Sequence, residues 1–170
     1  DKKCDYILTC PTLAGVFNAY NIVMASALVS AMNVSIEHIQ QAMNSFGAVP
    51  GRMQRHVLKN GAVAIIDYAH TPSSFEALFT TVRPIIDRLI VIFGAGGNRD
   101  ATKRPQMGKL ASMYADFIFL TTDNPRDEDP YDIIHDIMFG IEESVRDKVT
   151  VELDRKLAIK KAYQMDTLFL

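Results

Sequence analysis

At 170 residues, 48% of them apolar and 22% charged, the chain is long enough for one globular domain, or one domain and part of another, with a real core. A formal net charge of -2 lacks the basic field of a nucleic-acid binder, so no nucleic-acid partner is expected. No apolar run reaches the roughly 18 residues of a membrane span, so no stable membrane insertion is expected either.

Asp1-Lys2-Lys3-Cys4-Asp5 is followed by no apolar stretch of signal-peptide kind. Cys4 and Cys10 lack metal-ligand spacing and read as reduced thiols of a cytoplasmic protein. Asn18 to Met32 is apolar nearly all round, which predicts a buried helix. Ser35 is placed to cap a second helix with Ile36, Ile39, Met43 and Phe46 along one face. The pattern changes near Val49-Pro50-Gly51, and from there short apolar runs alternate with helical ones. Ala62 to Ile66 predicts a strand, and Thr71 caps a helix from Pro72 that carries Phe75, Leu78, Phe79 and Val82 on its face and has Pro84 just past its end. Leu89 to Phe93 is a strand and Gln106 to Ala115 a helix; Phe117 to Leu120 is a strand and Pro130 to Ile141 a helix. Val149 to Leu153 is a strand, Arg155 to Tyr163 a helix, and Leu168 to Leu170 opens another strand. With no initiator Met and an apolar run at the far end, both ends read as cuts in a longer chain.

Strands joined by helices imply right-handed crossovers and a mostly parallel sheet covered on both faces. The predicted class is therefore an α/β doubly wound domain, with two helices before it. Ligands of such sheets bind outside the carboxyl ends of the strands. The segments that follow the strands are Asp67-Tyr68-Ala69-His70, Gly94 to Arg104, Asp123-Asn124-Pro125-Arg126 and Asp154-Arg155. All are polar or charged and all fall on one edge, which marks that edge as the site.

Each segment also has an ordinary structural reading. Gly94-Ala95-Gly96-Gly97 lets backbone N–H groups face an anion, with Arg99, Lys103 and Arg104 following. The dinucleotide fingerprint fails there, because its sixth position is Arg99 rather than Gly. Pro125 stiffens the base from which Arg126 offers its planar fork to a carboxylate, unless Arg126 pairs with Asp127, Glu128 or Asp129 instead. Asp67 reads as a ribose or Mg²⁺ contact with His70 near transferred phosphate, or simply as a carboxylate that bonds its own turn. No G-x-x-x-x-G-K-[ST] occurs, so the chain has no triphosphate loop of its own.

Taken in order, Asp67-Tyr68-Ala69-His70-Thr71-Pro72, Phe93-Gly94-Ala95-Gly96-Gly97-Asn98-Arg99-Asp100 with Lys103-Arg104-Pro105, and Asp123-Asn124-Pro125-Arg126 resemble the C-terminal domain of the Mur ligases that act on UDP-N-acetylmuramoyl-L-alanyl-D-glutamate. Phe17-Asn18-Ala19-Tyr20-Asn21 and Val49-Pro50-Gly51-Arg52-Met53 resemble the end of the same family's central ATPase domain. Asn98 departs from the family, which more often has Asp there.

The resemblance implies that residues 1–49 end an ATP-binding domain and residues 50–170 form most of the C-terminal domain. It places the family's phosphate-binding loop upstream of Asp1, so the chain alone is expected to be inactive. The implied reaction is amide formation through an acyl phosphate, using ATP and Mg²⁺. Asn18, Asn21, Arg52 and Asp67 would hold the nucleotide, with His70 as the catalytic side chain near the phosphate. Arg99, Asn124 and Arg126 would contact the incoming amino acid, and Asp123 would support them. No residue is expected to ligate a metal directly. Asp-Asn-Pro-Arg resembles members that use meso-diaminopimelate; members that use lysine usually lack the Arg. The expected substrates are therefore the UDP-N-acetylmuramoyl dipeptide and meso-diaminopimelate, and no oligomer is predicted. Two alternatives stay open: a related ligase of the folylpolyglutamate type taking another amino acid, and a dinucleotide-binding α/β domain.

Overall fold

A computed structural model describes residues 7–10, 13–47, 49–165 and 168–169 of the chain. Cys4, the Asp1 to Asp5 segment, Thr167 and Leu170 lie outside the described residues. Six strands form one sheet: β1 Gln54–Val57, β2 Val63–Ile66, β3 Leu89–Phe93, β4 Phe117–Leu120, β5 Val149–Val151 and β6 Leu168–Phe169, in the spatial order β1-β2-β6-β3-β4-β5. Every neighbouring pair is parallel except β1 and β2, which pair antiparallel with Val57 opposite Val63. The sequence reading missed β1, since Gln54-Arg55-His56-Val57 has too little apolar character to show as a strand. It forms as an exposed edge strand, where one neighbour and a short link back from β2 suffice.

The helices of the sheet are α3 Pro72–Val82, α4 Lys103–Tyr114, α5 Pro130–Phe139 and α6 Arg155–Tyr163. The order β2, β3, β4, β5 steps one way across the sheet, whereas β5 to β6 steps back. Right-handed crossovers therefore put α3, α4 and α5 on one face and α6 on the other. Burial follows that division. Phe75, Phe79, Val82, Met107, Ala111, Ile133 and Ile137 pack with Leu89, Val91 and Phe93 in one cluster. Ala158 and Ala162 of α6 pack with Ile90 and Phe119 in the other. Alternate residues of β3 serve opposite faces, which is why its whole run is apolar.

The starts of three of these helices were legible, whereas α4, expected from Gln106, begins at Lys103, ahead of Pro105. Thr71 and Ser74 form a capping box with Pro72 at the first helical position. Asp129 caps α5 and Asp154 caps α6. Before the sheet come α1 Val16–Ala31 and α2 Ile36–Asn44, the latter capped by Ser35 as expected. The expectation of a buried first helix is corrected. Only Asn18 and Ser26 of α1 are buried, and Val23, Met24 and Leu28 are 62%, 65% and 66% exposed. A helix apolar on all sides buries only the side that meets other elements. Here α1 touches α2 and α3, with Phe17 reaching the main core. None of the described helices is long and apolar enough to cross a membrane.

Candidate functional site

The loops after β2, β3, β4 and β5 share the carboxyl edge of the sheet, and two clefts of about 750 and 840 Å³ open there. They meet along Asp67, Tyr68, Ala69, His70 and Leu78, which line both. The segment after β2 is therefore a shared wall.

The larger cleft gathers Asn18, Asn21, Arg52, Asp67 and His70, the whole set expected on the nucleotide side. Asn18 is buried in α1; its Nδ2 donates to the Ala14 carbonyl at 2.7 Å, and its Oδ1 accepts from Asn21 Nδ2 at 3.3 Å. The Arg52 guanidinium sits over the Tyr68 ring, 5.0 Å from its centroid. Leu13, Phe17, Ile22 and Phe46 supply apolar wall. Asp67 uses both oxygens on backbone: Oδ2 accepts from Met53 N at 2.9 Å and Oδ1 from Ala69 N at 2.8 Å. The structural role of Asp67 is thus real, and it sets the path of both neighbouring segments. His70 is exposed, with Nδ1 3.0 Å from the Tyr68 carbonyl. A carbonyl only accepts, so Nδ1 carries the proton and Nε2 keeps its lone pair in the neutral ring.

The smaller cleft gathers Arg99, Asp123, Asn124 and Arg126, the set expected on the amino-acid side, with Lys103 and Arg155 beside them. Here the Gly94 loop and the loop after β4 are zipped together. Gly97 N donates to the Asn124 carbonyl at 2.8 Å, Arg126 Nη1 donates to the Gly97 carbonyl at 2.5 Å, and Asn98 Nδ2 donates to Asp127 Oδ2 at 2.8 Å. The approach is so close that a Cβ on Gly97 would lie 1.8 Å from the Pro125 carbonyl oxygen. A glycine is required at that point.

Two non-glycine residues in these loops have left-handed backbone, Asn98 at φ 51° and Arg126 at φ 51°. Asparagine tolerates that region, and its amide also donates to Asp127, which an aspartate would repel. The departure from the usual Asp thus has a local reason. Arginine has no such affinity for positive φ, so the loop holds Arg126 against its own backbone preference.

Asp123 does not support Asn124 and Arg126 in the way expected. Its carboxylate lies 3.8 Å from Arg155 Nη1, and both groups are well exposed. Arg126 does not pair with its acidic neighbours either. The residue that takes Glu128 is Arg104, which is 2% exposed although the sequence reading placed it in the ligand loop. Arg104 Nη2 donates to Glu128 Oε1 at 2.9 Å and to the Gly96 carbonyl at 3.2 Å, Nη1 donates to Asp136 of α5 at 2.8 Å, and Nη1 also lies 2.8 Å from Glu128 Oε2 as an ion pair. The Glu128 bond raises its pKa, with a smaller contribution from Asp136 and against the effect of burial. The same bond, with a second from Asn98 N, holds the Glu128 carboxyl below its ordinary value. Lys103 was also undervalued: Nζ donates to the His70 carbonyl at 2.9 Å, joining the shared wall to the start of α4. Among the described residues, no group of three or more His, Cys, Asp or Glu side chains is placed to hold a metal ion.

The family profile described as Mur ligase, glutamate ligase domain, matches residues 51–167. The UDP-N-acetylmuramoyl-L-alanyl-D-glutamate--2,6-diaminopimelate ligase of Aquifex aeolicus is 49% identical over 154 residues, which cover 90% of this chain and 31% of that protein. The ligase of the same name from Gloeobacter violaceus is 44% identical over 152 residues, covering 88% and 31%. A solved structure of a ligase of that name superposes with a TM-score of 0.65 at 30% identity, over 96% of this chain and 34% of the other. Folylpolyglutamate synthase of Mycobacterium tuberculosis, solved with ADP and AMPPCP, gives a TM-score of 0.76 at 22% identity, over 95% and 38%. That second likeness speaks for the fold alone. The chain spans 31% of the length of these curated relatives.

Proposed function

Because the chain belongs to the Mur ligase family, through its glutamate ligase domain, we propose that it is the amine-accepting part of an ATP-dependent amide ligase of peptidoglycan synthesis. The proposed reaction joins meso-diaminopimelate to UDP-N-acetylmuramoyl-L-alanyl-D-glutamate in the cytoplasm. Residues 50–170 are the proposed C-terminal domain, and 1–49 the end of the preceding ATP-binding one. The names of the relatives support the substrates. The observation that carries the reading in this chain is Arg126, kept in left-handed backbone and pinned to the Gly97 carbonyl.

In this reading the larger cleft takes the nucleotide. Its apolar wall suits a flat heterocycle, Arg52 on Tyr68 closes the rim, and Asn18, Asn21 and Asp67 offer polar partners. ATP with Mg²⁺ supplies the phosphoryl group that activates the substrate carboxylate. Among the described residues, no group of three or more His, Cys, Asp or Glu side chains would hold that ion by itself.

The smaller cleft takes the amino acid. Arg99 and Arg126 are two forks for two carboxylates, and Asp123 is an acceptor for an ammonium group. Lysine lacks the second carboxylate and would leave one guanidinium without its partner. His70 stands on the wall common to both clefts, with Nε2 as a proton acceptor for the attacking amine. The test is to supply the longer parent protein with ATP, Mg²⁺, the UDP-muramoyl dipeptide and meso-diaminopimelate. The expected products are the UDP-N-acetylmuramoyl tripeptide, ADP and the inorganic phosphate displaced from the acyl phosphate by the amine. Amide formed equally well with lysine, glutamate or alanine would remove the substrate assignment.

A further inference from the structure

We infer that Arg104 is a positioning residue for the amino-acid cleft: from its buried place at the start of α4 it fixes the two loops that carry Arg99, Asn124 and Arg126. The inference rests on reading that cleft as the amino-acid site.

The geometry points this way in three steps. First, Arg104 holds Glu128 by one hydrogen bond and a second close ion-pair contact, and a Glu128 oxygen accepts in turn from Asn98 N. Arg104 also donates to the Gly96 carbonyl. One buried cation thus holds backbone on both sides of Gly97 and the turn just after Arg126. Second, the helices do not depend on it to stay together. On α4 and just beyond α5, Gly108 and Gly140 bring the two helices into direct contact; a Cβ on either would meet backbone of the other segment at 2.1 and 1.8 Å. The bond to Asp136 adds to a contact already made by shape, whereas the bonds to Glu128 and Gly96 are the ones that reach the loops. Third, Arg104 Nε is buried and makes no hydrogen bond. Burying an unsatisfied donor is costly, and an apolar side chain would fill the same core more favourably. An arginine there is explained by what its fork holds.

Arg104 touches no substrate in this arrangement. Its effect passes through Glu128 and Gly96 to the angle at which Arg99 and Arg126 enter the cleft. A shift of about 1 Å in such groups costs roughly 100-fold in rate.

The test uses the longer parent protein with Arg104→Lys and, separately, Glu128→Gln. Lysine keeps the charge but loses the fork, and Glu128→Gln keeps the shape but loses the charge. For both, KM for the amino acid should rise roughly 10- to 100-fold while KM for ATP stays within about twofold. If the wild type works best with an amino acid other than diaminopimelate, the substrate assignment fails, and the positioning claim is read on that other amino acid. Amide hydrogen exchange gives a readout that needs no substrate. In Arg104→Lys the Gly97 and Asn98 amides should exchange at least about tenfold faster, with Ala111 and Ile137 unchanged. Faster exchange throughout α4 and α5, equal rises in both KM values, or a lowered melting temperature with neither KM changed would each overturn the inference and leave Arg104 a plain core support.

Discussion

Arg104 and Glu128 meet through two contacts, an ion pair from Nη1 to Oε2 at 2.8 Å and a hydrogen bond from Nη2 to Oε1 at 2.9 Å. That pair, with Asn98 N, depresses the Glu128 pKa in the folded state. A carboxyl whose folded pKa is below its unfolded value adds stability above the unfolded value and loses it as pH falls through the folded one. Melting temperature should therefore decline as pH drops below about 4.3, the ordinary glutamate value. Glu128→Gln removes this titration, so its melting curve should start lower at neutral pH and converge on the wild type in acid. Parallel curves at all pH values would contradict the pairing.

Arg126→Ala should weaken use of meso-diaminopimelate far more than use of lysine. Arg126 is exposed in this chain, so the scale is that of a charge-assisted hydrogen bond, about 1.5–3 kcal/mol. At about 1.4 kcal/mol per tenfold that is roughly 10- to 150-fold in kcat/KM. Measuring both amino acids in the parent protein decides the matter; equal losses would make Arg126 a prop for Gly97.

Asp67→Asn should raise KM for ATP more than KM for the amino acid, because Asp67 belongs to the wall of the larger cleft. It also weakens the bonds from Met53 N and Ala69 N, at about 0.5–1.5 kcal/mol each. A melt run alongside the kinetics separates the two effects. Only a stability loss, with KM for ATP unmoved, would assign Asp67 to the turn alone.

Gly97→Ala should destabilise the chain by about 1–3 kcal/mol, since the new methyl has to displace the Pro125 carbonyl. In a chain of this size each kcal/mol is worth roughly 2–4 °C. Gly47, with nothing within 4 Å of its would-be Cβ, is the control and should tolerate Ala within about 0.5 kcal/mol.

These 170 residues by themselves should neither hydrolyse ATP nor form the amide, as they contain no triphosphate loop. Release of phosphate by the purified chain above a buffer blank would disprove this.

The sheet was legible because its strands are continuous apolar runs. Leu89–Phe93 and Phe117–Leu120 form with the bounds their composition predicts. The carboxyl-edge rule then placed Asp67, Arg99, Asn124 and Arg126 on one edge; that this edge holds two adjoining clefts was visible only in the structure. What could not be read was pairing at a distance. Arg104 follows Lys103 in a polar stretch, and nothing local distinguishes the buried cation from the half-buried one. Its partner Glu128 lies among Asp127 and Asp129, which look alike in sequence. Burial of α1 failed for a related reason: periodicity reports how apolar a helix is, and not how many neighbours reach it.

The contact of Gly97 with the Pro125 carbonyl binds the two recognition loops into one unit of inheritance. Neither can be lengthened, retuned or exchanged by itself, because any change in the path of one reshapes the only space available to the other. An engineer wishing to retune the proposed amino-acid cleft should therefore graft residues 94–100 and 123–128 as a matched pair, with the arginine beneath them, from a single donor.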